Sequence, residues 1–134
     1  MIKSFRGKLD SGEQDTIRLG TIRGQIGYTI KKFKLMNNLP GQETAEAVCK
    51  IFTYEQTSID GTVDFDNSEL LAAAYLSTTS SGNAVYFEGV IFDNVKFNQD
   101  IYVTHKDTDN GLPINYYIEL EQHNLSVDEA AVAT

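Results

Sequence analysis

The sequence has little of several residue types on which catalytic and metal-binding sites depend. Cys49 is the single cysteine, and His105 and His123 are the only two histidines among 134 residues. One cysteine excludes an intramolecular disulfide and a zinc site built from several cysteines of one chain. Nothing in the sequence brings these three residues together into a Ser–His–Asp or Cys–His arrangement. We therefore expect a protein that is not an enzyme and that needs no cofactor and no metal.

Long apolar runs and positive charges are also scarce. No run approaches the roughly 18 apolar residues that a membrane-spanning helix needs, and residues 1–7 lack the apolar core of a signal peptide. Eleven Lys and Arg stand against 19 Asp and Glu, which gives a net charge of −8. Such a chain is a poor partner for nucleic-acid phosphates and for anionic membranes. We expect no nucleic-acid partner, no membrane partner, and synthesis in the cytoplasm.

What the chain does contain is apolar alternation with a period of two, clearest between residues 98 and 121. The alternating apolar-face positions are Ile101, Val103 and His105, followed by Ile114, Tyr116, Ile118 and Leu120. Residues 106–113 separate the two sets and include Asn110-Gly111, a strong turn signal. We interpret residues 98–121 as a β-hairpin with one buried face.

Similar patterns predict further strands on either side of this segment. Residues 2–9, 14–22, 48–56 and 62–65 each fit a strand, and residues 84–87 and 90–92 fit two short ones around Glu88-Gly89. From Ile26 onward the apolar positions switch register after Lys31-Lys32, which indicates either a β-bulge or two shorter strands. Strands in succession with short turns predict one all-β domain over residues 1–124. We expect an antiparallel β-sandwich, jelly-roll-like or barrel-like.

Two segments depart from the strand pattern. Residues 66–76 predict a short helix, because Asp66 can cap it, Glu69 completes a capping box, and Leu70 stands where a hydrophobic staple needs an apolar side chain. Residues 125–134 form a small, acidic tail with too few apolar groups to offset the cost of ordering it alone. We expect a neighbouring subunit to hold this tail.

Two charged segments allow a functional and a structural interpretation. Residues 107–111 resemble a calcium loop in composition, but the glycine and the expected glutamate are out of place, so a solvated turn is favoured. Lys31, Lys32 and Lys34 form a basic patch with aromatic neighbours, as in proteins that bind single-stranded nucleic acid. Lysines that protect a strand edge explain the patch more simply.

Tyrosine is more abundant than a core of this size requires. Tyrosine suits interfaces because it combines apolar area with a polar tip. The candidate interface residues are Tyr75, Tyr86, Tyr102, Tyr117, Leu125 and Val127. The residues alone therefore favour an assembly module that forms homo-oligomers, either a trimer or a ring.

Three stretches carry a resemblance to a known family. They are the opening residues 1–7, residues 51–57 (Ile-Phe-Thr-Tyr-Glu-Gln-Thr), and residues 97–107 (Phe-Asn-Gln-Asp-Ile-Tyr-Val-Thr-His-Lys-Asp) with residues 115–121. In these stretches the chain resembles small virion-associated proteins of marine tailed phages, of the cyanophage and pelagiphage type. The family has no catalytic motif to carry over.

The resemblance implies a structural role in the virion. The first expectation is a capsid decoration, or cement, protein whose partners are its own copies and the major capsid protein. A head–tail connector or tail component is the nearest alternative. A carbohydrate- or calcium-binding sandwich module used in host recognition is the alternative from another class.

Overall fold

The computed structural model describes residues 1–20, 25–80 and 86–125. These residues form eight strands and no helix, so none of them belongs to a helix that could cross a membrane. The strands are β1 (Ile2–Leu9), β2 (Gln14–Ile17), β3 (Ile26–Asn37), β4 (Ala45–Phe52), β5 (Leu70–Thr78), β6 (Tyr86–Phe92), β7 (Ile101–Asp107) and β8 (Ile114–Asn124). The expected all-β class is confirmed.

The strands form two antiparallel sheets that share one hydrophobic core. The smaller sheet has the order β1-β8-β3 and the larger has the order β2-β7-β4-β5-β6. Phe33 and Ile118 of the smaller sheet belong to the same buried cluster as Ile51, Leu76 and Val103 of the larger. Alternate residues of each strand therefore point into a common interior, as the period of two requires.

The alternating positions of β7 and β8 are buried as predicted, but the predicted hairpin is wrong. β7 pairs with β2 and β4, whereas β8 pairs with β1 and β3 in the other sheet. The connection between them is held by Asp107, whose carboxylate accepts hydrogen bonds from the backbone amides of Glu46, Asp109 and Leu112. Gly111 adopts a φ of +67°, which glycine tolerates well. This turn therefore crosses between sheets.

The register switch in β3 is a β-bulge. The pairing of β3 with β8 shifts between Ile30 and Lys32. Phe33 and Leu35 are buried beyond the shift, while Lys31 and Lys32 are exposed. The bulge thus restores the apolar positions to the core face within one continuous strand.

The predicted helix over residues 66–76 is wrong. The side chains of Asp64 and Asn67 accept the backbone amides two residues on, at Asp66 and Glu69, and hold a turn that leads into β5. Strand β5 then pairs with β4 on one side and β6 on the other. Residues 71–74 are buried continuously. The burial and hydrogen bonding of a strand between two neighbouring strands therefore stabilise this segment more than its local helix propensity does. Residues 62–65 form no strand either.

Residues 53–69 cover part of the outer face of β4. Lys50 is buried there, with its Nζ 3.2 Å from Asp60 Oδ1 and donating to the Thr62 carbonyl at 2.5 Å. The Thr62 amide and then Lys50 hold the pKa of Asp60 below its ordinary value. Lys50 therefore fastens this segment to the sheet, which explains why β4 is buried on both faces.

Candidate functional site

Strand β6 is an edge strand with an exposed apolar surface. Within the described part of the chain it pairs only with β5, and Tyr86, Phe87 and Ile91 are 66%, 57% and 58% exposed. Phe92 is also exposed, and so is Phe65 on the connection between β4 and β5. Phe65, Ile91 and Phe92 line one shallow depression. We call the surface formed by Phe65, Tyr86, Phe87, Ile91 and Phe92 the apolar edge.

The apolar edge is exposed because the larger sheet extends past the smaller one. Glu88, Val90 and Phe92 pair with the core-facing positions of β5, but of these three only Val90 packs against the core. Lys34 of β3 approaches Glu88 at 3.9 Å. Next to that contact lies a cleft of about 200 Å³ between the two sheets, lined on its sides by residues of β3 and β5 and by Tyr86. The unpaired side of β6 is thus available to a partner strand.

The six candidate interface residues do not form one surface. Tyr75 packs against Phe87 in a tilted arrangement, with 5.9 Å between the ring centroids, and its hydroxyl donates to Glu46, so Tyr75 supports one side chain of the apolar edge. Tyr86 belongs to the edge itself. Tyr102 lies on β7, Tyr117 on the outer face of the smaller sheet, and Leu125 beside Gly27 at the end of β8. Val127 lies outside the described residues.

Hydrogen bonds also occupy two of the tyrosine hydroxyls. Tyr86 donates to Glu88 at 2.7 Å and Tyr117 donates to Glu119 at 2.6 Å. Each of these hydrogen bonds raises the pKa of the tyrosine concerned. Tyr116, by contrast, is buried and donates to Asp15 at 2.8 Å, so it belongs to the core.

The outer face of the smaller sheet is basic although the chain is acidic. Five exposed cations stand on β1 and β3, together with the carboxylates of Glu119 and Glu121 on β8 between them. The cations are Arg6, Lys8, Lys31, Lys32 and Lys34. This set carries a net charge of +3 and leaves −11 on the rest of the chain, since the whole chain carries −8. We call it the basic face.

A groove of about 560 Å³ lies at one end of the basic face. Arg6 and Lys34 flank Tyr117 across the three paired strands, and Met36 and Asn115 occupy the adjacent row. Lys31 pairs with Glu121 at 3.2 Å, outside the groove. The groove therefore combines cations, an aromatic ring, an aliphatic side chain and an amide, and its size is typical of ligand pockets.

Comparison with protein-family models and with curated proteins gives no match. The resemblance to phage virion proteins therefore stays a prediction from the stretches quoted above.

The residues that suggested chemistry at the sequence level have structural roles. Both carboxylate oxygens of Asp107 accept backbone amides, so the segment 107–111 is an internally bonded turn. His105 is buried with its Nε2 2.9 Å from the Leu112 carbonyl oxygen, and burial lowers its pKa. Burial raises the pKa of the Cys49 thiol. Among the described residues, no three His, Cys, Asp or Glu side chains are grouped to hold a metal ion.

The sequence pattern did not identify Phe87, Ile91 and Phe92 as one edge, because Glu88-Gly89 indicated a break between two short strands. The strand runs through that pair without interruption. The available signal was the absence of alternation, since residues 86–92 (Tyr-Phe-Glu-Gly-Val-Ile-Phe) are apolar at both odd and even positions. An edge strand that is apolar on both faces is a predicted association site.

Proposed function

We propose that this chain is a non-enzymatic structural component of a phage virion, and most directly a capsid decoration protein. The observation that carries the proposal is the apolar edge. There β6 pairs with β5 on one side only among the described residues, and its large side chains are exposed on both of its faces. The resemblance of residues 97–107 and 115–121 to virion-associated proteins supports it independently.

We further propose that the two sheets form a jelly-roll-like sandwich. A jelly roll results when one long hairpin is wound over itself, so that the first strand pairs with the eighth, the second with the seventh and the fourth with the fifth. All three pairs are present here. The remaining pair, β3 with β6, forms no ladder of hydrogen bonds among the described residues, although Lys34 and Glu88 approach to 3.9 Å. Jelly rolls are common in viral capsid proteins and in lectins, which agrees with a shell component.

The mechanism of attachment is burial of the apolar edge together with strand pairing. Each large side chain transferred from water to an interface contributes about 1.5–3 kcal/mol when fully buried. Pairing of β6 with a neighbouring strand adds backbone hydrogen bonds that fix the orientation. If the neighbour contributes a different strand, the contact is heterologous, and it forms a trimer or a larger ring when the rotation between successive copies closes. Such an interface is expected to bury on the order of 800 Å² per partner.

The first test removes apolar character from the edge. Ile91→Lys is expected to shift the full-length chain from oligomer to monomer in sedimentation velocity at equal concentration. Burial of the lysine ammonium in the interface would cost desolvation free energy that no opposite charge offsets. Leu39→Lys is the matched control, since Leu39 is 51% exposed and lies on the connection between β3 and β4. Equal oligomers from wild type and Ile91→Lys would contradict assembly through this edge.

The second test places the chain in the particle. Quantitative mass spectrometry of purified virions, with cryo-electron microscopy of the same preparation, is expected to give hundreds of copies on the shell. A copy number that corresponds to a single ring per particle would instead support the head–tail connector or tail alternative, because a symmetric assembly at one vertex contains one ring of subunits. Absence of the chain from purified virions would overturn the structural role.

A further inference from the structure

The groove on the basic face has the chemistry to bind an acidic, partly apolar chain segment. Arg6 and Lys34 supply positive charge on its two sides, and Met36 and Tyr117 supply apolar contact area. The basic face as a whole has more cations than carboxylates, and its two carboxylates are already engaged with Lys31 and Tyr117. Lys34 also lies 3.9 Å from Glu88 of β6, and the remaining net positive charge of the face favours an acidic ligand.

Residues 126–134 have the composition that this groove requires. The segment reads Ser-Val-Asp-Glu-Ala-Ala-Val-Ala-Thr and contains no Lys or Arg. Asp128 and Glu129 supply the negative charge, and Val127 and Val132 supply apolar side chains. The segment is small enough to lie extended on a sheet face, because no side chain in it is larger than glutamate.

The reach of the chain decides which copy supplies the segment. Leu125 is held at the far end of β8, where its amide donates to the Gln25 carbonyl at 2.8 Å and its side chain packs against Gly27. Tyr117 lies eight residues back along β8, about 26 Å away at the usual rise of a strand. Glu129 is only four residues beyond Leu125 and reaches at most about 14 Å. The acidic pair of a chain therefore falls short of that chain's own groove.

We propose that the groove binds residues 126–134 of a second copy of this chain, with Asp128 and Glu129 facing Arg6 and Lys34. This inference rests on the proposed role in assembly and specifies one of its contacts. Because the groove and the tail are different surfaces, the contact is heterologous and links successive subunits head to tail. It is separate from pairing at the apolar edge.

The test is a charge exchange in the full-length chain. Arg6→Glu and Glu129→Arg are each expected to weaken oligomerisation about fivefold or more in sedimentation equilibrium, as loss of an ion pair and gain of repulsion predict. The double variant restores opposite charges and is expected to recover most of the affinity. Wild-type association should also weaken as salt is raised. Lys106→Glu is the control, because it makes the same charge change on the larger sheet, and thermal melts check that every variant folds.

The outcomes separate this contact from assembly in general. Oligomers that Ile91→Lys dissociates, but that both Arg6→Glu and Glu129→Arg leave unchanged, would overturn the tail–groove contact and keep the apolar edge. Two weakened single variants without recovery in the double variant would also overturn the pairing of these residues. A full-length chain that stays monomeric at high concentration would overturn both the contact and the proposed self-assembly.

Discussion

Replacement of the buried Asp107 is expected to destabilise the fold more than replacement of an exposed carboxylate in the same connection. The side chain is only 4% exposed and stands at the end of β7. Its Oδ1 accepts the amides of Glu46 at 3.1 Å and Asp109 at 2.9 Å, and its Oδ2 accepts the amide of Leu112 at 2.9 Å. One carboxylate thus ties the start of β4 to the connection that passes from the larger sheet to the smaller.

The magnitude follows from which amides can return to water. Asp109 is exposed, so its amide regains a water partner, whereas Glu46 and Leu112 are half-buried. A half-buried donor left without a partner costs about 1–3 kcal/mol. We expect Asp107→Ala to lower the free energy of unfolding by about 3–4 kcal/mol. Asp107→Asn keeps one acceptor oxygen and is expected to cost about 1–2 kcal/mol.

Urea denaturation followed by circular dichroism measures these differences. For a domain of this length, each kcal/mol corresponds to roughly 3–5 °C in the melting temperature, so both variants are resolvable by thermal melts as well. Asp109→Ala is the matched control, because it removes the same charge from an exposed position in the same turn. If Asp107→Ala unfolds within about 1 kcal/mol of the control, the carboxylate is not what holds the connection.

Three further predictions concern acid, packing and the covering segment. Stability should fall as the pH drops below 6.5, the ordinary pKa of histidine. Burial lowers the pKa of His105, so the unfolded chain binds a proton at this residue at a higher pH than the folded chain does. In a pH series of urea midpoints, His105→Gln should remove this part of the pH dependence. A second loss is expected below pH 3.8, because burial raises the pKa of Asp107 but the amides of Asp109, Leu112 and Glu46 bring it below its ordinary value. Gly7→Ala should cost about 1–3 kcal/mol in urea denaturation, with Ser4→Ala unchanged, since a Cβ at Gly7 would stand 2.8 Å from the Tyr116 hydroxyl. Lys50→Met should speed proteolytic cleavage within residues 53–69 relative to Lys106→Met, and cleavage at the wild-type rate would show that Lys50 does not fasten that segment.

Patterns within one strand were readable from the sequence, and the choice of partner strand was not. The alternation in β8 and the register switch in β3 depend on which side chains face the core, which is a local property. The predicted hairpin was wrong because it relied on the tendency of consecutive strands to pair. Here β7 and β8 lie in different sheets, and the connection between them is stabilised by Asp107. No residue between them specifies the sheet to which β8 goes.

The predicted helix and the missed edge have a common physical cause. The capping pattern at residues 66–69 contributes little, compared with the two ladders of hydrogen bonds that enclose β5. In β6 the apolar residues on both faces suggest burial, yet the strand lies where the smaller sheet ends. The sequence shows how apolar a strand is, but whether that strand lies at the edge of a sheet depends on the pairing of all the strands. The sequence shows only the three lysines of the basic face as a patch, because Arg6 and Lys8 join them through the pairing of β1 with β8.

The order of strands in the smaller sheet has a consequence for synthesis. β8 is the central strand of that sheet but the last of the eight along the chain. On the ribosome, β1 and β3 therefore emerge long before the strand that pairs with both of them. During that time the side chains of Phe33 and Leu35 are exposed to solvent. Folding of this sheet begins only after Asn124 has left the exit tunnel, and its long-range pairing places folding in the slower range for small domains. The nascent chain is accordingly expected to be a chaperone client, and its yield should depend on translation rate as well as on stability.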